Sequence, residues 1–347
     1  MAATPAVAPE RSRADEGAPL VEIRNLVKEF TVTAGAVLQR KIGTIKAVTD
    51  VSFSIAKGET FGLVGESGCG KTTIGRLLVG LEKPTSGEIL FEGRDIAKMS
   101  GGARRRQRRD LQLIFQDPYA SLDPRMRVGS IVKEPLNVQK IGSSDERNAR
   151  VRQLLTEVGL SPKAIDFYPH EFSGGQRQRI GLARALSLNP KLIVADEPVS
   201  ALDVSIRSQI LNLMNNLQAT HGLTYLVISH DLSVVKYLSD RIGVMYLGKL
   251  VEVGPSHAIY EKPAHPYTLG LIDAIPEPDP VRERAKAAAP IRGELPSALN
   301  PPSGCRFRTR CPKAQDLCAE QLPLLRPFGP GHWAACHFPL QTPVATA

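Results

Sequence analysis

Eight consecutive residues, Gly65-Glu66-Ser67-Gly68-Cys69-Gly70-Lys71-Thr72, satisfy the pattern G-x-x-x-x-G-K-[ST]. Together these residue types bind phosphate. Glycines let backbone N–H groups turn inward around phosphate oxygens, and the N-terminus of a following helix adds a favourable dipole. Lys71 neutralises charge on the β- and γ-phosphates, and the Thr72 hydroxyl can ligate Mg²⁺. Gly65, Ser67, Gly68, Cys69, Gly70, Lys71, Thr72 and Thr73 are therefore the candidate nucleotide-binding residues. Cys69 reads as a small buried filler rather than a redox group.

Two further groups complete a phosphoryl-transfer set. Asp196-Glu197-Pro198 follows the apolar run Lys191–Ala195. A strand there delivers Asp196 at its C-terminal end, where α/β sheets bind ligands. Asp196 suits Mg²⁺ coordination, and Glu197 is placed to activate an attacking water. His230 follows another apolar run, Thr224–Ser229. It is the candidate contact to the γ-phosphate.

The elements that must hold these groups are legible in the hydrophobic pattern. Strands are expected at Leu20–Phe30, Val51–Ile55, Thr60–Val64, Leu111–Phe115, Lys191–Ala195, Thr224–Ile228 and Arg241–Tyr246. Several are continuous apolar runs, as in strands covered on both faces. The phosphate loop follows Thr60–Val64 and opens a helical run over Thr72–Val79, which is the context the motif requires. Helical signals dominate from Val128 to Leu188, with breaks near Gly142 and around Ser161–Pro169. Gly254-Pro255 ends the α/β pattern, and a proline-rich stretch with little periodicity follows, including Pro278, Pro280 and Pro290.

One more motif narrows the possibilities. Ser173-Gly174-Gly175-Gln176 precedes the helical stretch Arg177–Leu188. Ser173 can cap that helix, and the glycines let backbone approach an anion at its N-terminus. With this motif the chain resembles the ATP-binding subunits of ABC transporters. Ser173–Gln176 resembles their signature motif, and Gln116 in Phe115-Gln116-Asp117-Pro118 resembles their Q-loop, which contacts Mg²⁺. Ser200-Ala201-Leu202-Asp203 resembles the D-loop and His230 the switch histidine. Phe30 sits where the family places an aromatic that stacks on adenine. The resemblance narrows to oligopeptide/dipeptide importer ATPases of the F type, through Tyr168-Pro169-His170-Glu171-Phe172, His265-Pro266-Tyr267-Thr268, Gly293-Glu294-Leu295-Pro296-Ser297 and Phe307-Arg308-Thr309-Arg310-Cys311-Pro312.

The resemblance implies an α/β P-loop NTPase with a RecA-like core, an inserted helical subdomain and an irregular cysteine-containing C-terminal appendage. The expected division is a disordered leader over 1–19, a nucleotide-binding domain over 20–255 with its helical part at about 117–189, and a C-terminal region over 256–347. It also implies an ATPase working head to tail with a second, D-type ATPase subunit. In that arrangement Ser173, Gly174, Gly175 and Gln176 complete the partner's ATP site. Two integral membrane permease subunits and an extracytoplasmic peptide-binding protein are the further implied partners. The implied place is peripheral, on the cytoplasmic face of the inner membrane.

Composition bounds the alternatives. The 347 residues carry 44 Lys and Arg against 35 Asp and Glu, a net charge of +9. This favours anionic partners. The densest basic run, Arg104–Arg109, has no neighbouring aromatics for base stacking, so it reads as a solvated helix face rather than a nucleic-acid site. No apolar run approaches the roughly 20 residues of a membrane-spanning helix. A soluble ABC ATPase acting on DNA or ribosomes is the other class. Lys71 and Asp196 are only 125 positions apart, with no heptad insertion between them, and there is a single motif set. Intact Glu197 and His230 argue against a non-hydrolysing subunit. The cargo stays open among di- and oligopeptides, glutathione and other small solutes.

Four of the five cysteines, Cys305, Cys311, Cys318 and Cys336, fall within 32 residues at the spacing C-x5-C-x6-C-x17-C. This is neither the paired spacing of common zinc sites nor that of bacterial ferredoxins. Resemblance to peptide-importer ATPases points to a 4Fe–4S cluster, with zinc or no metal as alternatives. Arg306, Arg308 and Arg310 are expected to offset the charge of such a thiolate group.

Overall fold

The computed structural model describes residues 18–34, 40–117, 121–276, 291 and 293–344. Most of the expected leader, Pro118, and the prolines at 278, 280 and 290 lie outside the described residues. Twelve strands and ten α-helices among the described residues form two sheets and a helical block.

The main sheet is built on β3 (Thr60–Val64), β6 (Leu111–Ile114), β7 (Leu192–Asp196), β8 (Thr224–Ser229) and β9 (Arg241–Tyr246). They run parallel in the order β6-β7-β8-β3-β9. Every residue of β3, β7 and β8 is buried, which is why these segments read as unbroken apolar runs. Successive side chains still alternate between faces. Ile193, Ala195, Tyr225 and Val227 join the core under the helical block. Leu192, Val194, Leu226 and Ile228 join a second core on the other face.

That second core is shared with the antiparallel sheet of β1 (Val21–Ala34), β2 (Arg40–Ile55), β4 (Ser86–Phe91) and β5 (Arg94–Asp95), in the order β2-β1-β4-β5. Val21, Ile23, Leu26, Val51 and Ile55 are almost wholly buried there, each burial worth about 1.5–3 kcal/mol. Helix α1 (Lys71–Leu78) runs from the phosphate loop between the sheets, burying Ile74, Leu77 and Leu78. Helix α2 (Gly101–Asp110) carries the basic run with Arg105, Arg106 and Arg108 exposed, the solvated face expected from sequence.

The helical block comprises α3 (Val128–Gln139), α4 (Ser144–Glu157) and α5 (Gly174–Leu186), with 3₁₀ turns at Pro162–Asp166 and Pro169–Glu171. Its breaks fall where the sequence placed them. Lys140 leaves α3 in the left-handed conformation, and Ser143 opens α4 with a capping box to Glu146.

Beyond α6 (Val204–His221) and α7 (Leu232–Leu238), the chain returns through β10 (Lys249–Pro255), α8 (Ser256–Glu261) and α9 (Pro266–Asp273). Much of 293–324 is irregular, as expected, apart from the single turn α10 (Leu317–Glu320). The segment is nonetheless not a mere appendage. Strand β12 (His332–Ala335) pairs antiparallel onto β10 and β11 (Leu325–Gly329) antiparallel onto β12, extending the main sheet to eight strands. Glu252 anchors this junction. It is fully buried, accepts from the N–H groups of Ala264 (2.7 Å) and His265 (2.9 Å), and meets His332 Nε2 at 2.7 Å.

Candidate nucleotide site

The sequence candidates converge along the C-terminal edge of the parallel strands. The phosphate loop leaves β3 with Gly65, Gly68 and Gly70 all at positive φ. Two of these glycines are required by space as well as by conformation. A Cβ on Gly65 would lie 2.2 Å from the Met245 carbonyl, and one on Gly70 would lie 2.1 Å from the Ala47 carbonyl. Backbone thus packs directly on the loop's outer side, and the Gly248 N–H donates to the Cys69 carbonyl (2.8 Å). Cys69 is fully buried and burial pushes its thiol pKa up, the expected filler. Ser67 and Gly68 face solvent, while Thr73 is half-buried on α1.

Lys71 is only 5% exposed. Its ammonium lies inside the loop, donating to the carbonyls of Gly65 (2.6 Å) and Glu66 (2.9 Å). It also meets Cys69 Sγ at 3.7 Å; a charge held in a low-dielectric pocket and satisfied only by neutral groups is well placed to receive an anion.

Asp196 ends β7 beside the start of α1, and the Thr72 hydroxyl donates to its Oδ1 at 3.1 Å. Burial raises the Asp196 carboxyl above the usual carboxylate range, with the Thr72 bond opposing that shift. One hydroxyl and one carboxylate side by side are the hard oxygen donors that Mg²⁺ takes, so these residues fit the ion in kind.

Glu197 is the centre of the polar network. Gln116 Nε2, just past β6, donates to its Oε2 at 2.8 Å, and His230 Nδ1, just past β8, meets its Oε1 at 2.8 Å. Three parallel strands therefore deliver Gln116, Glu197 and His230 to one point. Glu197 itself has φ +49°, a left-handed conformation that costs a non-glycine residue about 1–2 kcal/mol. Its N–H is fixed by the Ile228 carbonyl at 2.8 Å, so the neighbouring strand holds that conformation. Strain of this sort collects at functional sites.

Ser173 caps α5 through a reciprocal box with Gln176, at 3.0 and 3.4 Å. Both side chains are exposed. Gly175 is buried against Ile206, where a Cβ would come within 2.4 Å of Cγ2, and Gly174 faces Leu202. Gly174 and Gly175 thus pack on Leu202 and Ile206, while Ser173 stays exposed at the helix N-terminus. Phe30 is half-buried on β1 with Lys28 Nζ 4.6 Å from its ring centroid.

Two features escaped sequence reasoning. Arg207 of α6 donates to the carbonyls of Leu202 (2.7 Å) and Ser200 (3.4 Å) and lies 3.7 Å from Asp231. It ties the D-loop to the turn that carries His230. A groove of about 300 Å³ also opens between the core and the helical block, lined by Leu81, Phe115, Leu122, Pro135, Gln178 and Arg184. Neither has a local sequence signature.

The four C-terminal cysteines do come together. Cys305, Cys311, Cys318 and Cys336 line one small cavity with His265. Burial raises the thiols of Cys305 and Cys311, and that of Cys336 to about 12 with the other three nearby. Among the described residues, however, no three Cys, His, Asp or Glu side chains stand in a metal-holding arrangement, so the expected cluster gains no support from this geometry. Two of the three arginines do not serve the cysteines as anticipated. Arg306 donates to the Leu247 carbonyl and Thr49 hydroxyl, and Arg310 to Glu66. Only Arg308 lines the cysteine cavity, and its guanidinium is bonded to Ser303.

Comparison with known proteins agrees with this geometry. Residues 48–200 match the ABC transporter family, and residues 251–318 match the oligopeptide/dipeptide transporter C-terminal region. The oligopeptide transport ATP-binding protein AppF of Bacillus subtilis is 53% identical over 319 residues, covering 92% of this chain and 97% of AppF. Among solved structures, the dimeric ATP-binding cassette MJ0796, in a post-hydrolysis state bound to ADP and Pi, superposes with a TM-score of 0.60. It is 30% identical and covers 68% of this chain and 98% of that one. The cbiO1 subunit from Clostridium perfringens, part of an ABC transporter complex, also gives 0.60 at 27% identity, covering 71% and 92%.

Proposed function

The chain belongs to the ABC transporter ATP-binding family, in its oligopeptide/dipeptide branch, and on that premise we propose that it hydrolyses ATP at an interface with a second ATPase subunit to drive peptide import. The observation that carries the chemistry is the convergence of Gln116, Glu197 and His230 at 2.8 Å, beside Lys71, Thr72 and Asp196.

In this mechanism Lys71 and the loop N–H groups hold the β- and γ-phosphates, and Phe30 meets the adenine. Thr72 and Asp196, with Gln116, would hold Mg²⁺. When bound, that ion neutralises charge building on the phosphate oxygens. Glu197 accepts a proton from the attacking water, and His230 orients the Glu197 carboxylate and contacts the γ-phosphate. Ser173, Gly174, Gly175 and Gln176 serve the partner's nucleotide. Exposure of Ser173 at a helix N-terminus supports that role. ATP bridging two subunits favours the closed dimer by its differential affinity for that state, and hydrolysis removes the difference.

An ATPase of this family works as a dimer on membrane permease partners. We assign the dimer partner to a related D-type subunit, and the delivery of peptide to an extracytoplasmic binding protein. Residues 20–255 act as the nucleotide-binding domain, with the helical block at about 117–189 relaying closure to two permease subunits. The groove lined by Leu81, Phe115 and Arg184 between core and helical block supports docking there. No helix among the described residues is long and apolar enough to cross a membrane. Attachment through the permeases places the chain peripherally on the cytoplasmic face. The test is reconstitution with its permeases and binding protein in vesicles. ATP-dependent accumulation of a labelled oligopeptide is expected, and ATPase activity indifferent to peptide and binding protein would overturn the import role.

A narrower proposal concerns the cysteines. We assign Cys305, Cys311, Cys318 and Cys336 as ligands of a 4Fe–4S cluster that clamps the C-terminal segment. The assignment rests on the cysteine pattern and the family resemblance rather than on a metal-holding geometry; the four thiols line one small cavity, where His265 Nε2 is buried with no hydrogen-bond partner. The Tyr267 N–H donates to Nδ1 of that ring at 3.0 Å, so the unpartnered Nε2 carries the proton. Iron and acid-labile sulfide near four per chain in anaerobically purified protein would bear this out. Zinc alone would keep the ligands and change the ion, and neither would remove the proposal.

A further inference from the structure

Glu66 is the second residue of the phosphate loop, and its side chain turns away from Lys71 toward the C-terminal segment. Arg310 grips it with two parallel bonds, Nη1 to Oε2 at 2.6 Å and Nη2 to Oε1 at 3.0 Å. Such bidentate charge-assisted pairs are the strongest and most directional of protein hydrogen bonds. The Arg310 side chain is 7% exposed. Its guanidinium is itself fixed, donating to the Gly293 carbonyl (3.2 Å) and Tyr246 hydroxyl (3.4 Å) and lying 5.8 Å from the Tyr246 ring centroid. The backbone of Glu66 is held from the same side, its N–H donating to the Tyr267 hydroxyl at 2.9 Å. Tyr267, Tyr246 and Phe307 pack ring on ring at 4.8–5.2 Å, in a core that also includes Cys305 and Cys318.

The other side of Glu66 faces the nucleotide machinery. Its carbonyl accepts the Lys71 ammonium at 2.9 Å. Residue 310 therefore stands one residue from the phosphate-binding lysine's seat, across 244 positions of sequence. We propose that Arg310 is a positioning residue for ATP. It fixes the conformation of the phosphate loop through Glu66, so that the cysteine-bearing segment sets nucleotide affinity. The proposal rests on the phosphate loop being the ATP site. It extends that reading by giving the C-terminal region a part in binding rather than in chemistry, since Arg310 touches neither Glu197 nor His230. Coupling of this kind is reciprocal, so bound nucleotide must in turn order the segment around Arg310.

The test uses the full chain in its assembled complex, with a fluorescent ATP analogue and steady-state phosphate release. Arg310→Met and Glu66→Gln are each expected to raise Kd and KM for ATP about tenfold, within the ordinary range of coupling between sites, with kcat changed less than about twofold. The double variant is expected to be no weaker than the weaker single one, because both remove the same link. Arg310→Lys, which keeps one charged bond, is expected to recover part of the affinity. Nucleotide is expected to slow amide exchange over residues 303–311 in the native chain and not in Arg310→Met. Glu66→Gln leaves the buried bonds of Arg310 to Gly293 and Tyr246 in place, and it carries the test alone if Arg310→Met does not fold. Native affinity in Glu66→Gln, or additive losses in the double variant, overturns the proposal. Lys71→Ala separates the two readings: normal ATP binding in that variant would remove the phosphate-site assignment itself.

Discussion

Replacing Glu197 by Gln isolates the proton-accepting role from everything else the side chain does. The amide has nearly the same shape, so the left-handed backbone at φ +49° and its bond to the Ile228 carbonyl are kept. One of the two carboxylate oxygens becomes an amide nitrogen, which only donates; the remaining oxygen can keep one of the bonds from Gln116 and His230, and both are not kept as they stand. What is lost is the acceptor for the proton of water. A positioned general base contributes about 10²–10⁴ in rate. A fall in kcat of at least about 100-fold is therefore expected, or about 2.7 kcal/mol on the barrier. The groups assigned to phosphate and Mg²⁺ in this proposal, Lys71 and Thr72, are bonded to Gly65, Glu66 and Asp196 and not to Glu197. ATP affinity is expected to stay within about threefold. Phosphate release at saturating Mg-ATP, beside filter binding of labelled ATP, measures both. Turnover within threefold of the native chain would refute the base assignment.

Two further outcomes follow from burial. Glu252→Ala leaves His332 and the N–H groups of Ala264 and His265 buried without their acceptor. A loss of about 3–5 kcal/mol is expected, as for breaking one side of a buried pair, and the urea midpoint would show it. An unchanged midpoint would mean that β12 is not anchored there. Burial also raises the Glu59 carboxyl above 4.5, against the pull of Arg241. The folded state then binds its proton at higher pH than the unfolded chain does, so this group favours folding more as pH falls toward 4.5. The urea midpoint of the native chain minus that of Glu59→Gln is expected to be greater at pH 4.5 than at pH 7.

Much of the site was legible in the sequence because its parts are local. The phosphate loop lies within eight residues, and β3, β7 and β8 announce themselves as apolar runs because both their faces are covered. The last residue of such a strand marks the ligand edge, which is how Asp196, Glu197 and His230 were found. The breaks of the helical block were equally local, set by Gly142 and the prolines at 162 and 169. Elements formed through distant pairing were not legible. The first part of β2 lies on a sheet edge, and its sequence Arg40-Lys41-Ile42-Gly43-Thr44 has no clear apolar alternation, while β10 carries the buried charge Glu252 amid its apolar residues. Strands β11 and β12 are five and four residues long, and β11 contains Pro327. Only their pairing, β12 onto β10 and β11 onto β12, makes them strands. The link from Arg310 to Glu66 is hidden for the same reason, because nothing in the spacing of the C-terminal arginines distinguishes a guanidinium facing the cysteines from one facing the phosphate loop.

The central claim is that this chain's signature segment completes an ATP site belonging to a second subunit. Ser173 is the residue to test it, since it is exposed and is bonded within its own helix cap to Gln176. We would introduce Ser173→Arg in this chain alone, purify the assembled complex with its second ATPase subunit and permeases, and measure ATP hydrolysis beside ATP binding to the isolated chain. Hydrolysis reduced at least about tenfold, with binding by the isolated chain unchanged, is the predicted result. Native hydrolysis in the complex, or loss of ATP binding by the isolated chain, would contradict a site shared between subunits.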